Sequence, residues 1–291
     1  MQVKPRHMPW PAIPEISVLR FIDRPDACSM EPHVHPGQVE ITYLVRGHIS
    51  WRSAGRRLDV TGGDVHVSFP GEPHGGDNNV FEPMTFYSLS LNIPETAEPF
   101  LGLTGEESRA VTDDLRRLPR QFRAQPTLLG RFKDALEAAS APQTPLHAAA
   151  LRSSVVLLVV EIIASARQAR GLSRSSRPVA QALELMRENL SEVLTLEEIA
   201  EAVGWSLSHF KARFRQETGT TPAKEYLRLR VLEAVDRIAH GAESTTAVAY
   251  ALGFSSSQYL ATCVRRITGR PPSAFRTQSK RKVQRRVSRR R

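Results

Sequence analysis

Cysteine is nearly absent. The chain has two in 291 residues, Cys28 and Cys263; patterning assigns them to different domains, which argues against a disulfide framework. Long apolar runs are missing as well. The longest is Val155–Val160, which Glu161 interrupts before Ile162 and Ile163, far short of the roughly 20 residues that cross a bilayer. No membrane partner is therefore expected. The opening MQVKPRHMPWPAIPEI has no apolar leader core, so the expected location is cytoplasmic. The composition is not that of a disordered chain either: 41% hydrophobic and 24% charged residues are ordinary for a soluble globular protein. The length suits roughly two or three domains, each burying its own core.

The front of the chain lacks any excess charge. Residues 1–176 carry 19 Lys/Arg and 19 Asp/Glu, while 177–291 carry 21 against 11, so the whole net charge of +10 lies at the rear. Eight of those cations crowd into Lys280–Arg291. A neutral front joined to a basic rear suggests a sensing or catalytic unit coupled to something that meets a polyanion.

Periodicity divides the chain further. Residues 1–100 hold short alternating segments, with strands expected at Glu40–Val45, His48–Arg52, Val65–Phe69 and Met84–Leu91 between turns at Pro36-Gly37, Gly62-Gly63 and Pro70-Gly71. Many short strands imply a barrel or sandwich. Residues 101–171 turn helical, and Leu146–Arg170 predicts one long helix, apolar around most of its circumference through 155–163. Such a helix must be buried, in a core or against a second copy of itself; a homodimer contact is the favoured expectation. Gly171–Arg177 is a small polar linker, and 178–276 is almost wholly helical in short units. The basic tail, 277–291, has little to bury and is expected to be disordered.

The rear third contains an internal repeat. Leu196, Ile199 and Ala200 precede Gly204-Trp205-Ser206; 49 residues later Thr245, Val248 and Ala249 precede Gly253-Phe254-Ser255. Each copy runs into a helix with an apolar face, Phe210 and Phe214 in one and Leu260 and Val264 in the other, ended by Thr218-Gly219 and Thr268-Gly269. The small residue inside the first helix allows close packing, the glycine relieves the turn, and Ser206 and Ser255 or Ser256 can cap the second helix. Each copy therefore reads as a helix-turn-helix.

With the apolar faces buried, the first copy presents Ser206, Ser208, His209, Lys211, Ala212 and Arg215 to a partner. The second presents Ser256, Ser257, Gln258, Ala261, Thr262 and Arg265. Gln can pair bidentately with adenine, and Lys or Arg prefers guanine or phosphate, so double-stranded DNA is the expected partner. Between the copies, Pro222–His240 predicts one helix of about 26 Å, able to set two recognition helices about one DNA turn apart.

The stretch Leu194–Arg276 resembles the DNA-binding region of AraC/XylS-family transcriptional regulators. The resemblance rests on LTLEEIAEAVGWSLSHFKARF, RLRVLEAVDRIA and VAYALGFSSSQYL…RRITGRPPSAFR. The family usually has arginine near 212 and phenylalanine near 264, where this chain has Ala212 and Val264, and Thr245 stands where an aliphatic residue is usual. No operator sequence is carried over.

The front holds a second constellation: His33, His35, Glu40 and Gly47, then Gly63, Phe69-Pro70-Gly71, His74 and Asn78. This is similar to the two cupin motifs, with Ala27 where the first usually opens on glycine and Phe69 where the second usually has proline. The resemblance implies a small β-barrel. Residues two apart on a strand share a face, so His33 and His35 would point inward together, with Glu40 and His74 closing a three-histidine, one-carboxylate set. That set suits a divalent transition metal with positions open for a ligand; it can equally line a metal-free pocket for a small-molecule effector. His48 and His66 read as ordinary packed or surface histidines.

The expected protein is thus α+β and multidomain: an N-terminal cupin-like β-barrel, a helical dimerisation segment and an all-α double helix-turn-helix. The functional expectation is a transcriptional regulator, not an enzyme. Two alternatives stand beside it, a cupin metalloenzyme with an appended DNA-binding module and a charge-driven DNA-architectural protein.

Overall fold

The computed structural model describes residues 13–29, 32–53, 55–76, 80–95, 99–141, 144–169, 176–192, 194–240 and 243–276. The tail at 277–291 and most of the linker lie outside the described residues. The chain divides into two compact units, one of residues 1–24, 30–77 and 84–172, the other of residues 25–29, 78–83 and 173–291.

The first unit is built on antiparallel strands: β1 (Ile16–Arg24), β3 (Gln38–Ser53), β4 (Arg56–Thr61), β5 (Asp64–Ser68), β6 (His74–Gly76), β8 (Met84–Asn92) and β9 (Gln121–Arg123). Their order is β1-β8-β3-β5-β9, with β4 and β6 paired to the far half of β3. The sequence predicts two strands where one 16-residue strand, β3, is found. No turn separates its halves. A register shift between Leu44 and Arg46, followed by Gly47 at φ 108°, bends the strand so that its first half pairs β5 and β8 and its second half pairs β4 and β6.

Register sorts the side chains by face. One ladder row joins Leu19, Leu89, Ile41 and Val67; the next joins Phe21, Tyr87, Tyr43, Val65 and Phe122. This apolar face receives three helices, α1 (Gly105–Arg116), α2 (Leu128–Ser140) and α3 (Pro145–Ala169). Phe132 of α2 stacks on Tyr43 at 5.7 Å, and Leu151, Val155, Leu158, Val159 and Ile162 of α3 share the same core. The helices expected as a separate segment thus pack on the sheet as one body, and 121–123 adds an edge strand to it. By length and composition α3 is apolar enough to cross a membrane, although Glu161 interrupts its apolar run. Its buried row is instead the core face of this unit, which leaves Leu157 and Val160 half-exposed on the other side.

The second unit has two cores on one shared helix. The first gathers Val179, Ala182 and Met186 of α4 (Arg177–Glu188), Ile199 and Ala200 of α5 (Leu196–Ala202), Phe210 and Phe214 of α6 (Leu207–Thr218), and Tyr226 and Leu229. The second gathers Val231, Leu232, Val235 and Ile238 with Val248 and Ala249 of α8 (Thr245–Ala251) and Leu260, Cys263 and Val264 of α9 (Ser257–Thr268). Tyr226 through Ile238 all lie on α7 (Pro222–His240), whose 19 residues span about 28 Å. One end of α7 thus belongs to each core. The repeat is of three helices, α4-α5-α6 and α7-α8-α9.

Candidate nucleic-acid interface and effector site

The same local chemistry closes each helix-turn-helix. Gly204 and Gly253 adopt φ of 73° and 68°, a region closed to most side chains, and the next residue donates back across the turn: Trp205 to the Ala200 carbonyl and Phe254 to that of Ala249, both at 2.9 Å. Ser206 caps α6 by accepting from the His209 amide at 3.4 Å. For α9 the sequence left Ser255 and Ser256 open; Ser256 is the cap, accepting from Tyr259 at 3.1 Å. Both helices end alike. The Thr218 hydroxyl bonds the Phe214 carbonyl and the Thr220 amide, and Thr268 repeats this with Val264 and Arg270. Ser256→Ala should therefore lower stability by about 1 kcal/mol, read as a lower urea midpoint with an unchanged slope.

The faces opposite the cores are open. On α6, Ser208, His209, Lys211, Ala212 and Arg215 are exposed, as is Ser206 at its start. On α9, Gln258, Thr262 and Arg265 are exposed, while Ser256, Ser257 and Ala261 are half-buried. The Thr262 hydroxyl donates to the Gln258 carbonyl at 3.1 Å, which leaves its oxygen as an acceptor. Sequence reasoning passed over Tyr250 and Tyr259, two large exposed aromatics on α8 and α9. Their positions beside the repeat were visible; their exposure was not.

In the first unit, His33, His35, Glu40 and His74 do converge, with one ligand atom from each lying within 4.8 Å of the others. The route differs from the expected one. His33 and His35 do not sit on a strand: His33 makes an isolated bridge to His74, and Pro36-Gly37 turns the chain before β3 begins at Gln38. Proline cannot donate to a ladder, so strand alternation is not what aims these rings. Paired backbone hydrogen bonds to His74, both 3.0 Å, hold His33, and the His35 carbonyl accepts from the Gly71 amide at 3.3 Å.

Glu40 is the hub. His74 Nε2 lies 3.1 Å and His35 Nε2 3.4 Å from the same Glu40 oxygen; Ser88 donates to the other at 2.9 Å, and Arg20 lies 3.5 Å from it. Burial by itself would raise the Glu40 pKa, but hydrogen bonds from His35, His74 and Ser88 hold it well below the usual carboxylate range. Burial would likewise lower that of His74, and the Glu40 carboxylate raises it instead. His74 Nδ1 bonds the Glu72 carbonyl at 2.9 Å, fixing the ring and turning Nε2 toward the cluster.

The donor set fits a transition metal. Contacts of 3.1 and 3.4 Å match the edge of about 3 Å between neighbouring ligands at bond lengths near 2.1 Å. His35 Nε2 is buried, with the Glu40 oxygen 3.4 Å away, as befits a ligand nitrogen.

Register also exposes what the sequence could not. Behind Glu40 the second face of the sheet is polar and enclosed: Arg20, Ser88, Thr42 and His66 form one row, and Val18, Ser90, Glu40 and Ser68 the next. Thr42, His66, Ser68, Ser88 and Ser90 are all buried. His66, expected to be ordinary, is held neutral: burial first, then the neighbouring His74, pushes its pKa down to about 3. Arg20 Nε and His66 Nδ1 are buried without hydrogen-bond partners, which is unusual unless a ligand completes them.

Comparison with known proteins agrees with both halves. The model of the AraC-like ligand binding domain matches residues 15–156, and that of a helix-turn-helix domain matches 199–278. The chain is 24% identical over 218 residues to the HTH-type transcriptional activator RhaS of Klebsiella pneumoniae, covering 70% of this chain and 78% of that protein. A solved transcriptional regulator with an AraC-type DNA-binding domain from Chromobacterium violaceum is 31% identical with a TM-score of 0.34, covering 35% of this chain and 91% of that one. The DNA-binding domain of AdpA, solved in complex with a target DNA, is 31% identical with a TM-score of 0.35, covering 37% and 96%.

Proposed function

We propose, from the premise that the chain belongs to the AraC/XylS family of DNA-binding transcriptional regulators with a cupin-like ligand-binding domain at its amino end, that α6 and α9 read two successive major-groove segments of one duplex in response to a small molecule held at the histidine cluster. The observation that carries the DNA reading is the duplication: two serine-capped helices with open polar faces, flanking one helix of about 28 Å. That length suits a spacing near the roughly 34 Å of one DNA turn. Ser208, Lys211 and Arg215 on α6, and Gln258, Thr262 and Arg265 on α9, are the assigned contacts. Ser206, His209, Ala212, Ser256, Ser257 and Ala261 border them.

On the effector side, His33, His35, Glu40 and His74 would hold a divalent transition metal, which supplies open positions for an oxygen-donor ligand. Arg20 and the buried hydroxyls of Ser88 and Ser90 would complete the site. The support is chemical: three imidazoles and one carboxylate brought together beside buried polar atoms that lack partners. The half-exposed Leu157 and Val160 of α3 are the assigned homodimer contact. The chain acts on DNA in the cytoplasm and is read as non-enzymatic.

Selection of bound duplexes from a random-sequence pool, followed by footprinting, tests the DNA reading. Two protected segments about one helical turn apart are expected; a single segment, or sequence-independent coverage, would overturn it. Within the selected site, Gln258→Ala should relax discrimination at one base pair by about 1–3 kcal/mol. Arg215→Ala, if it reaches phosphate, should weaken all sequences alike and reduce the salt slope by about 1.

A further inference from the structure

The two recognition helices share one plan and carry different chemistry. Aligned at their caps, Ser206 and Ser256, they match position for position: Ser208 with Gln258, His209 with Tyr259, Lys211 with Ala261, Ala212 with Thr262 and Arg215 with Arg265. The early turns of α6 present Lys211, whereas α9 has no charged side chain before Arg265. Those early turns are the part of a recognition helix that meets base edges. A cation there suits guanine or phosphate, while uncharged side chains read by amide hydrogen bonds and apolar contact.

Tyr259 stands at the third position of α9 and is 47% exposed. Its ring is nevertheless supported. It lies 6.1 Å from the buried ring of Phe254, and the Arg230 guanidinium covers Phe254 at 4.6 Å. Arg230 is itself held by two hydrogen bonds to the Leu252 carbonyl, at 2.8 and 2.6 Å. The first copy keeps this pairing, with His209 edge-to-face on Trp205 at 4.8 Å. The far end of α9 is anchored as well. Ala27 leads into β2 (Cys28–Ser29), which pairs with β7 (Val80–Phe81) in the same compact unit, and its amide donates to the Thr268 carbonyl at 2.7 Å. An aromatic ring with two torsions, seated on a fixed helix, loses little entropy on contact.

The neighbours of Tyr259 suit one kind of base pair. The Ser257 hydroxyl donates to the Gln258 side-chain oxygen at 3.3 Å, which restrains the amide. Adenine needs one acceptor and one donor from that amide, and the oxygen's second lone pair and the NH2 group supply them. Thr262, one turn on from Tyr259, spends its hydroxyl proton on the Gln258 carbonyl and keeps a methyl group for apolar contact.

We infer that the two DNA segments differ in kind. Under α9 lie A·T pairs, with Gln258 on adenine and the Tyr259 ring covering a thymine methyl group, bordered by Thr262. Under α6 lies a guanine, taken by Lys211. This rests on reading the repeat as the DNA contact and names what each half selects. Tyr259 is thereby a specificity-determining residue.

The test repeats the random-sequence selection and footprinting on the full chain with Gln258→Ala, Tyr259→Ala, Tyr259→Phe and Lys211→Ala. In wild type, one protected segment should hold selected A·T pairs and the other a guanine. Gln258→Ala and Tyr259→Ala should relax the preference only in the first segment, and Lys211→Ala only in the second. Tyr259→Phe keeps the ring and should select as wild type does. Replacing the selected thymines by uracil removes only the methyl groups; it should weaken wild-type binding about 4-fold per contacted methyl and Tyr259→Ala binding by less. Two segments of like composition overturn the inference and leave the DNA reading standing, as does a uracil duplex that wild type binds as tightly as the thymine one. A Tyr259→Ala protein with wild-type preferences also overturns it and assigns the exposed ring to a protein partner. Coverage without sequence preference removes the inference and the DNA reading together.

Discussion

Phe214→Ala should cost about 3–5 kcal/mol of stability and abolish sequence-selective binding. Phe214 is wholly buried on α6, set edge-to-face against Phe210 at 5.5 Å, in a core that also holds Met186, Ile199 and Tyr226. That core is small, so nothing nearby can collapse into the space left. The loss is a large share of the roughly 5–15 kcal/mol of a typical domain. Urea unfolding followed by circular dichroism measures it. The matching residue of the second core is Val264; removing its fewer carbons should cost less. Equal losses at Phe214 and Val264 would show that the two cores are not packed as independently as their separate residue sets imply.

His74→Ala has the second large consequence, on the effector side. Outer partners of metal ligands typically matter by about 10–100-fold in affinity, and a direct ligand should exceed that, so on the proposed metal reading the metal taken up by the wild type should be undetectable in the variant by elemental analysis. The substitution also takes from buried Glu40 its partner at 3.1 Å, leaving Ser88, His35 and Arg20 around the carboxylate. An unmet buried acceptor costs about 1–3 kcal/mol, which should appear as a lower Tm even in the presence of a chelator. His66→Ala, nearby but outside the ligand set, should retain metal. A His74→Ala protein that still holds one metal per chain would remove His74 from the ligand set.

The helix-turn-helix repeat was legible because it is local. Glycine at the turn, a capping serine and an apolar spacing within twelve residues need no knowledge of the rest of the chain, and Gly204, Ser206 and Phe210 found their structural counterparts in Gly253, Ser256 and Leu260. The histidine cluster was legible in its members but not in its cause. His33 and His35 were grouped by strand alternation, whereas Pro36-Gly37 turns the chain before β3 and a backbone bridge to His74 holds His33. Arg20, His66 and Ser88 were passed over altogether. They join Glu40 through strand register and lie up to 68 residues apart in sequence.

By itself, then, the sequence determined the charge division, the duplicated DNA-reading motif and the identity of four potential ligands, because each is a matter of composition or short-range spacing. Tertiary structure decided which faces are enclosed. It bent β3 at Gly47 so that one strand serves two pairings, set α2 and α3 against the apolar face, and buried the polar side chains of Glu40, His66 and Ser88 on the other. It also carried Ala27 and Glu82 into the helical unit. The physical reason is that register and long-range packing couple residues whose separation along the chain carries no periodic signal.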